Sequence, residues 1–230
     1  MRKPAALISL VVVVMLIFAG CAGDDATKKV SEKDPQVIET EKKTKGSASM
    51  NDEQTIAIEQ TKVDSEYVVM ETNQGKIVIG FFPDIAPGHV ARFKELAREG
   101  FYEGIIFHRV IPGFVIQGGD PGTKDPDTPR HLHGTGGSGK NLDAEFNPRP
   151  HIRGTLSAAR SQDPNSADSQ FFICVARAAA LDNKYTVYGH VLEGMDAVDK
   201  IVNSERDRGD NPLEPQSIIS AKVEKREKTE

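Results

Sequence analysis

The densest run of chemistry-bearing residues is Phe107-His108-Arg109-Val110-Ile111-Pro112-Gly113-Phe114-Val115-Ile116-Gln117-Gly118-Gly119-Asp120. Pro112-Gly113 marks a turn between two strand-like halves. A hairpin centred on Gly113 sets Gln117 opposite Arg109, and strand alternation then puts Arg109, Ile111, Val115 and Gln117 on one face. A guanidinium, an amide and an apolar floor together suit binding of an amide bond beside a hydrophobic ring. The surface lacks a nucleophile, so covalent catalysis is not the expectation.

Other segments invite other chemistries and fit them poorly. Gly134-Thr135-Gly136-Gly137-Ser138-Gly139-Lys140-Asn141 satisfies G-x-G-x-x-G, and only Asn141 keeps it from a P-loop. Both phosphate motifs need a strand before and a helix after. The Pro-rich segments 125–130 and 147–150 supply neither. His131-x-His133 offers two metal donors where a site needs three or four, so solvent-exposed histidines are the expectation and no metal or cofactor is assigned. Ser157, Ser166 and Ser169 lack the G-x-S-x-G elbow of a hydrolase. His108 alternates to the face opposite Arg109 and reads as structural. Cys174 shares the parity of Gln170 and Phe172 and reads as a small, semi-buried hydrophobe.

Composition narrows the classes further. The chain has 230 residues, a net charge of −5, few aromatics and no Trp. It has neither a basic field to hold nucleic acid nor a base-stacking surface. Met1-Arg2-Lys3 precedes an apolar run from Ala5 to Phe18 broken only by Ser9, too short to span a bilayer comfortably. The pattern is that of a secretory signal peptide over residues 1–20. Phe18-Ala19-Gly20-Cys21 resembles the lipobox of bacterial lipoproteins, which implies acylation of Cys21. Only Cys174 then remains, so no disulfide framework is expected. Residues 21–63 are rich in Asp, Glu, Lys, Thr and Ser and read as a flexible charged tether, with a short helix at 53–60 the alternative. The expected location is the bacterial cell envelope, exported and lipid-anchored to a membrane.

The elements that must position Arg109 begin near residue 64. Strand-like runs cover 67–72, 76–82, 105–111, 114–117, 154–158, 170–175, 185–192 and 216–223. An amphipathic helix follows Pro87, with Val90, Phe93, Leu96 and Ala97 inward and Gly100 closing it. A second helix covers 195–202. Eight short strands, two separated helices and Gly/Pro-rich loops predict a mainly β domain over 64–226, a closed eight-stranded antiparallel barrel capped by two α-helices.

The hairpin stretch resembles the cyclophilin family of peptidyl-prolyl isomerases. Further motifs carry the resemblance from Tyr67 to Val223: Gly154-Thr155-Leu156-Ser157, Asn165-Ser166, Ser169-Gln170-Phe171-Phe172-Ile173-Cys174, Leu181-Asp182, Tyr185-Thr186-Val187-Tyr188-Gly189 and Glu193-Gly194-Met195. It implies Arg109 as the catalytic arginine, Phe114 and Phe172 as proline-pocket aromatics, and Gln117 and Gln170 as polar substrate contacts. Ala159 and Arg160 match the strand that pairs with the substrate backbone, with Asn frequent in place of Arg160. Leu181 matches the aliphatic wall, Tyr185 stands where His is common and Val115 where Met is common. Ala180 replaces a frequent Trp, which implies weakened binding of cyclosporin. The implied substrates are proline-containing peptides and unfolded exported proteins, and the implied activity needs no cofactor. A proline-peptide-binding scaffold or holdase with little turnover would use the same pocket.

Overall fold

A computed structural model describes residues 64–226. The expected signal segment, Cys21, the tether and the helix at 53–60 lie outside the described residues. The element order is β1 (Glu66–Thr72), β2 (Gly75–Phe81), α1 (Pro87–Arg98), β3 (Arg109–Ile111), β4 (Val115–Gly118), β5 (Thr155–Ala158), β6 (Phe171–Cys174), β7 (Val187–Glu193), α2 (Met195–Val202) and β8 (Ile218–Lys225). All eight strands form one antiparallel sheet in the order β3-β4-β6-β5-β7-β2-β1-β8.

The predicted closed barrel is corrected to a half-barrel with two helices. Its edges, β3 and β8, are not laddered to each other. The run at 105–111 is strand only from Arg109, and a single bridge joins Ile106 to Ser217. Around it, Gly104 N–H donates to Ile218 O (2.8 Å) and Phe107 N–H to Gln216 O (2.8 Å). Val110 N–H instead donates to Asp210 O (2.8 Å), so a loop, not β8, satisfies the edge of β3.

The sheet is apolar on both sides where the site lies. Val68, Met70, Ile77, Ile79, Phe81, Ile116, Phe171 and Ile173 are fully buried in the main core with Val90, Phe93 and Leu96 of α1. Alternation along β6 turns Phe172 and Cys174 the other way, where they join Val115, Ala159 and Ala178 in a second, smaller cluster. That is why Phe171–Cys174 reads as a continuous apolar run rather than an alternating one.

Two charged contacts fix α1, and neither is local. Lys94 lies on the helix and is nonetheless buried, ion-paired to Asp64 and, at 3.0 Å, to Glu66. Ala86, at the N-terminus, makes no side-chain cap. Glu145 caps the helix instead, accepting from Gly88 N (2.9 Å), His89 N (3.0 Å) and His89 Nδ1 (2.6 Å). Burial works to raise the Glu145 carboxyl, but these donors outweigh it and hold the group below the ordinary carboxylate value. Removing a charged helix cap typically costs about 1–2 kcal/mol. Glu145→Gln is therefore expected to lower unfolding free energy by about that much, read as a shift of the urea midpoint at unchanged slope.

Candidate active site

The hairpin register is the one the sequence predicts: Arg109 pairs with Gln117 and Ile111 with Val115. Gly113, at φ +74°, makes the turn with no neighbour near it. The row continues across the sheet, Gln117 to Phe172 and Phe172 to Ser157. Arg109, Gln117 and Phe172 therefore stand side by side on one face of three adjacent strands.

Around that row lies a cavity of about 260 Å³. Arg109 and Gln117 line one side, and Phe114, Val115 and Phe172 form an apolar floor. Ala159 and Arg160 line the strand side, with Leu181 and Tyr185 opposite. Nine of the ten sequence-predicted pocket residues thus converge there. The tenth, Gln170, lines an adjoining cavity of about 290 Å³ that shares Gln117, Ala159 and Arg160 with the first. Ala180 is exposed and lines neither.

A directional chain of hydrogen bonds orients the polar side. Gln170 Nε2 donates to the carbonyls of Gly134 (2.9 Å) and Gly136 (2.7 Å). Its Oε1 must then face Gln117 Nε2, at 3.0 Å, and Gln117 Oε1 faces Arg109 Nη1 at 3.4 Å. The glycine-rich loop is thus the far anchor of the guanidinium. Gly119, at φ +96°, lets the end of β4 pass against Ser169, where a Cβ would overlap the Ser169 carbonyl.

Carboxylates of the protein already hold the amides of that loop. Asp120 accepts from Gly122 N (2.8 Å) and Gly134 N (2.6 Å). Asp168 accepts from Ser138 Oγ, from Gly139 N (2.8 Å) and from Lys140 N (3.3 Å). Amides engaged by resident anions do not cradle a phosphate, which explains the misleading motif physically.

Sequence reasoning missed the layer beneath the floor. His151 is fully buried, stacked on Phe172 with ring centroids 5.8 Å apart and planes at 20°. It bridges Asp182 Oδ1 through Nδ1 (3.1 Å) and Ser157 Oγ through Nε2 (3.0 Å). Asp182 also binds Arg177 and accepts from the His151 amide. The constellation resembles a hydrolytic triad in composition only. Ser157 is fully buried, within reach of the Thr186 carbonyl at 2.8 Å, so no substrate reaches it. His151 and Ser157 are six residues apart and Asp182 lies 31 residues beyond His151, a spacing that matches no local motif. Ser166 and Ser169 bond to backbone carbonyls. His133 is committed to Asn211 and Thr128, and no group of three or more metal-donor residues occurs among the described residues. Cys174 is buried more completely than the sequence suggests, and burial pushes its thiol up to about 12.

The family model for the cyclophilin type peptidyl-prolyl cis-trans isomerases matches residues 67–223. The chain belongs to this family. A probable peptidyl-prolyl cis-trans isomerase of Brucella abortus is 46% identical over 160 residues, covering 68% of this chain and 82% of that protein. A peptidyl-prolyl cis-trans isomerase of Synechococcus elongatus is 41% identical over 153 residues, 66% of this chain and 97% of that protein. A crystal structure of a Cryptosporidium parvum cyclophilin type isomerase, determined in the presence of the dipeptide Ala-Pro, is similar at TM-score 0.62 and 30% identity. It covers 70% of this chain and 99% of its own. This cyclophilin is an isomerase, and the site just described is its candidate active site.

Two predictions follow from the geometry of this cyclophilin. Gln170→Leu cuts the chain between Arg109 and the loop without touching the apolar floor. It should lower kcat/KM on an X–Pro peptide about tenfold, equivalent to one hydrogen bond to a charged group, with wild-type far-UV dichroism as the control. The second concerns acid. Burial lowers His108 to about 4 despite the opposing charge of Asp120. Burial also lowers His151, against the pull of Asp182, and His190, with Arg149 adding to the shift. The unfolded imidazoles take up protons near pH 6.5 and the folded ones only below that. Acid therefore favours the unfolded state, and stability present above about pH 7 declines as the pH falls from about 6.5 toward 4. Thermal melts across that range should show the decline, and His108→Phe should flatten it by roughly 1 kcal/mol per pH unit.

Proposed function

We propose that this cyclophilin accelerates rotation about X–Pro bonds of exported proteins, with Arg109 as the hydrogen-bond donor that lowers the barrier. The observation that supports it is the row of Arg109, Gln117 and Phe172 across β3, β4 and β6, a guanidinium beside an apolar floor. X–Pro rotation takes tens to hundreds of seconds unaided because amide resonance opposes it by about 18–20 kcal/mol. A donor at the prolyl nitrogen localises its lone pair and favours the twisted, pyramidal geometry. Arg suits that task because it stays protonated and its donors are held in a plane. One charge-assisted hydrogen bond of about 1.5–3 kcal/mol accounts for roughly ten- to hundredfold in rate.

The remaining acceleration comes from seating the ring while the acyl side turns. In this reading Phe114, Val115, Phe172 and Leu181 hold the ring. Gln117 and Gln170 contact the substrate's polar groups, Ala159 and Arg160 run beside its backbone, and Tyr185 closes the wall. Ala180, in place of a frequent Trp, removes a contact for cyclosporin and weakens its binding. The substrates are proline-containing segments of unfolded exported proteins. Acylation of Cys21 places the enzyme at a membrane of the bacterial envelope, with residues 22–63 as its tether. Arg109→Ala should leave the thermal midpoint within a few degrees of wild type and remove most turnover in a prolyl-peptide assay; turnover near the wild-type rate overturns the assignment.

A further inference from the structure

A third cavity, of about 940 Å³, opens on the other side of Arg109 and Gln117 from the apolar floor. Its far wall is built from two loops braced together. Arg130 Nε donates to Asp207 Oδ2 (3.1 Å), and Arg130 Nη2 donates to the carbonyls of Asn211 (2.9 Å) and Pro212 (2.7 Å). Asp207 in turn accepts from Gly209 N (2.8 Å) and Asn211 N (3.1 Å).

The charge left over is positive. Asp207 is the one acidic side chain lining this cavity among the described residues, and the brace already engages it. Arg208 lines the same cavity and makes no hydrogen bond or ion pair among the described residues. Arg109 has only the long contact to Gln117. Two guanidinium groups with no counter-ion among the described residues thus face one cavity in a chain whose net charge is −5. Because it shares Arg109 and Gln117 with the proline pocket, a peptide seated there passes its mouth.

We propose that this cavity is a subsite for a carboxylate side chain on a residue flanking the proline, so that acidic X–Pro segments are turned over in preference to basic ones. The inference rests on the proline-pocket reading above. It concerns the chemistry of the neighbouring residue, which the apolar floor does not read. Paired, partly exposed charges have modest effects, so a preference of about fivefold is expected at low ionic strength, fading as salt screens it.

The test is a set of short Ala-Pro peptides in which one Glu, Gln or Lys is moved through the two positions on either side of the proline. The peptides are assayed with the wild-type chain and with Arg208→Glu. At one position Glu should exceed Lys in kcat/KM by about fivefold, with Gln between them. The ratio should fall toward one at high salt and fall to one or invert in Arg208→Glu. Equal turnover of the Glu and Lys peptides at every position, or a ratio untouched by Arg208→Glu, overturns the subsite. Failure to turn over the parent Ala-Pro peptide, with Ala at every other position, would instead count against the isomerase reading. Fluorescence anisotropy with the same labelled peptides then decides the charge preference from affinity alone.

Discussion

A guanidinium that is to donate into a substrate amide must be held in place without having its donors used up. Arg109 and Arg160 show the two outcomes on opposite sides of one pocket. Arg160 gives its donors to the carbonyls of Lys184, Ser161 and Gln162 and lies over the Tyr185 ring, 4.6 Å from the centroid. It is a strut. Arg109 makes one long contact, to an amide oxygen whose direction is imposed by two further links ending on the Gly134 and Gly136 carbonyls. Orientation is thus supplied from the loop, and the remaining donors have no hydrogen-bond partner among the described residues.

That arrangement explains why two carboxylates, Asp120 and Asp168, are turned onto the glycine-rich loop. Asp120 is almost fully buried, and Asp168 reaches the loop from the segment just before β6. Each carboxylate neutralises loop amides that would otherwise need water. The loop can then present carbonyls in fixed positions to Gln170. The apolar half is built with equal economy, because one strand serves both sides: Phe171 and Ile173 close the main core while Phe172 and Cys174 make the pocket floor. His151 backs Phe172 from behind with Asp182 and Ser157, so the aromatic ring rests on a satisfied polar layer rather than on a void.

What the sequence discloses follows from the range of the interactions involved. The Arg109–Gln117 pairing is set by a turn at Pro112-Gly113 and a period of two, so it is legible from fourteen consecutive residues. The two-sided strand at 171–174 is legible from its unbroken apolar run. Barrel closure is not, because residues 105–108 have strand-like composition while their partners lie more than a hundred residues away at 216–218. Loop residue Asp210 takes the amide of Val110 that a closing ladder would need. Lys94 fails for a related reason. On the helix it looks like a solvated charge, and only Asp64 and Glu66, from the start of the domain, make its burial tolerable. His151, Asp182, Asp120 and Asp168 act across the fold, and no local pattern marks them.

The chemistry also explains what is kept away from the pocket. Rotation about an amide forms and breaks no covalent bond, so a nucleophile or an available base beside the substrate carbonyl would add only side reactions. Every candidate for such a role near the floor is disabled by burial or by its partners. Cys174 has its thiol pushed up to about 12 and cannot form a thiolate at neutral pH. Ser157 is covered by the pocket floor and hydrogen-bonded within it. His151 is lowered by burial and tied at both ring nitrogens. The triad-like set under Phe172 is therefore best understood as a support, and the floor it supports is inert by construction. An inert floor suits a reaction whose whole barrier is the stiffness of a single bond.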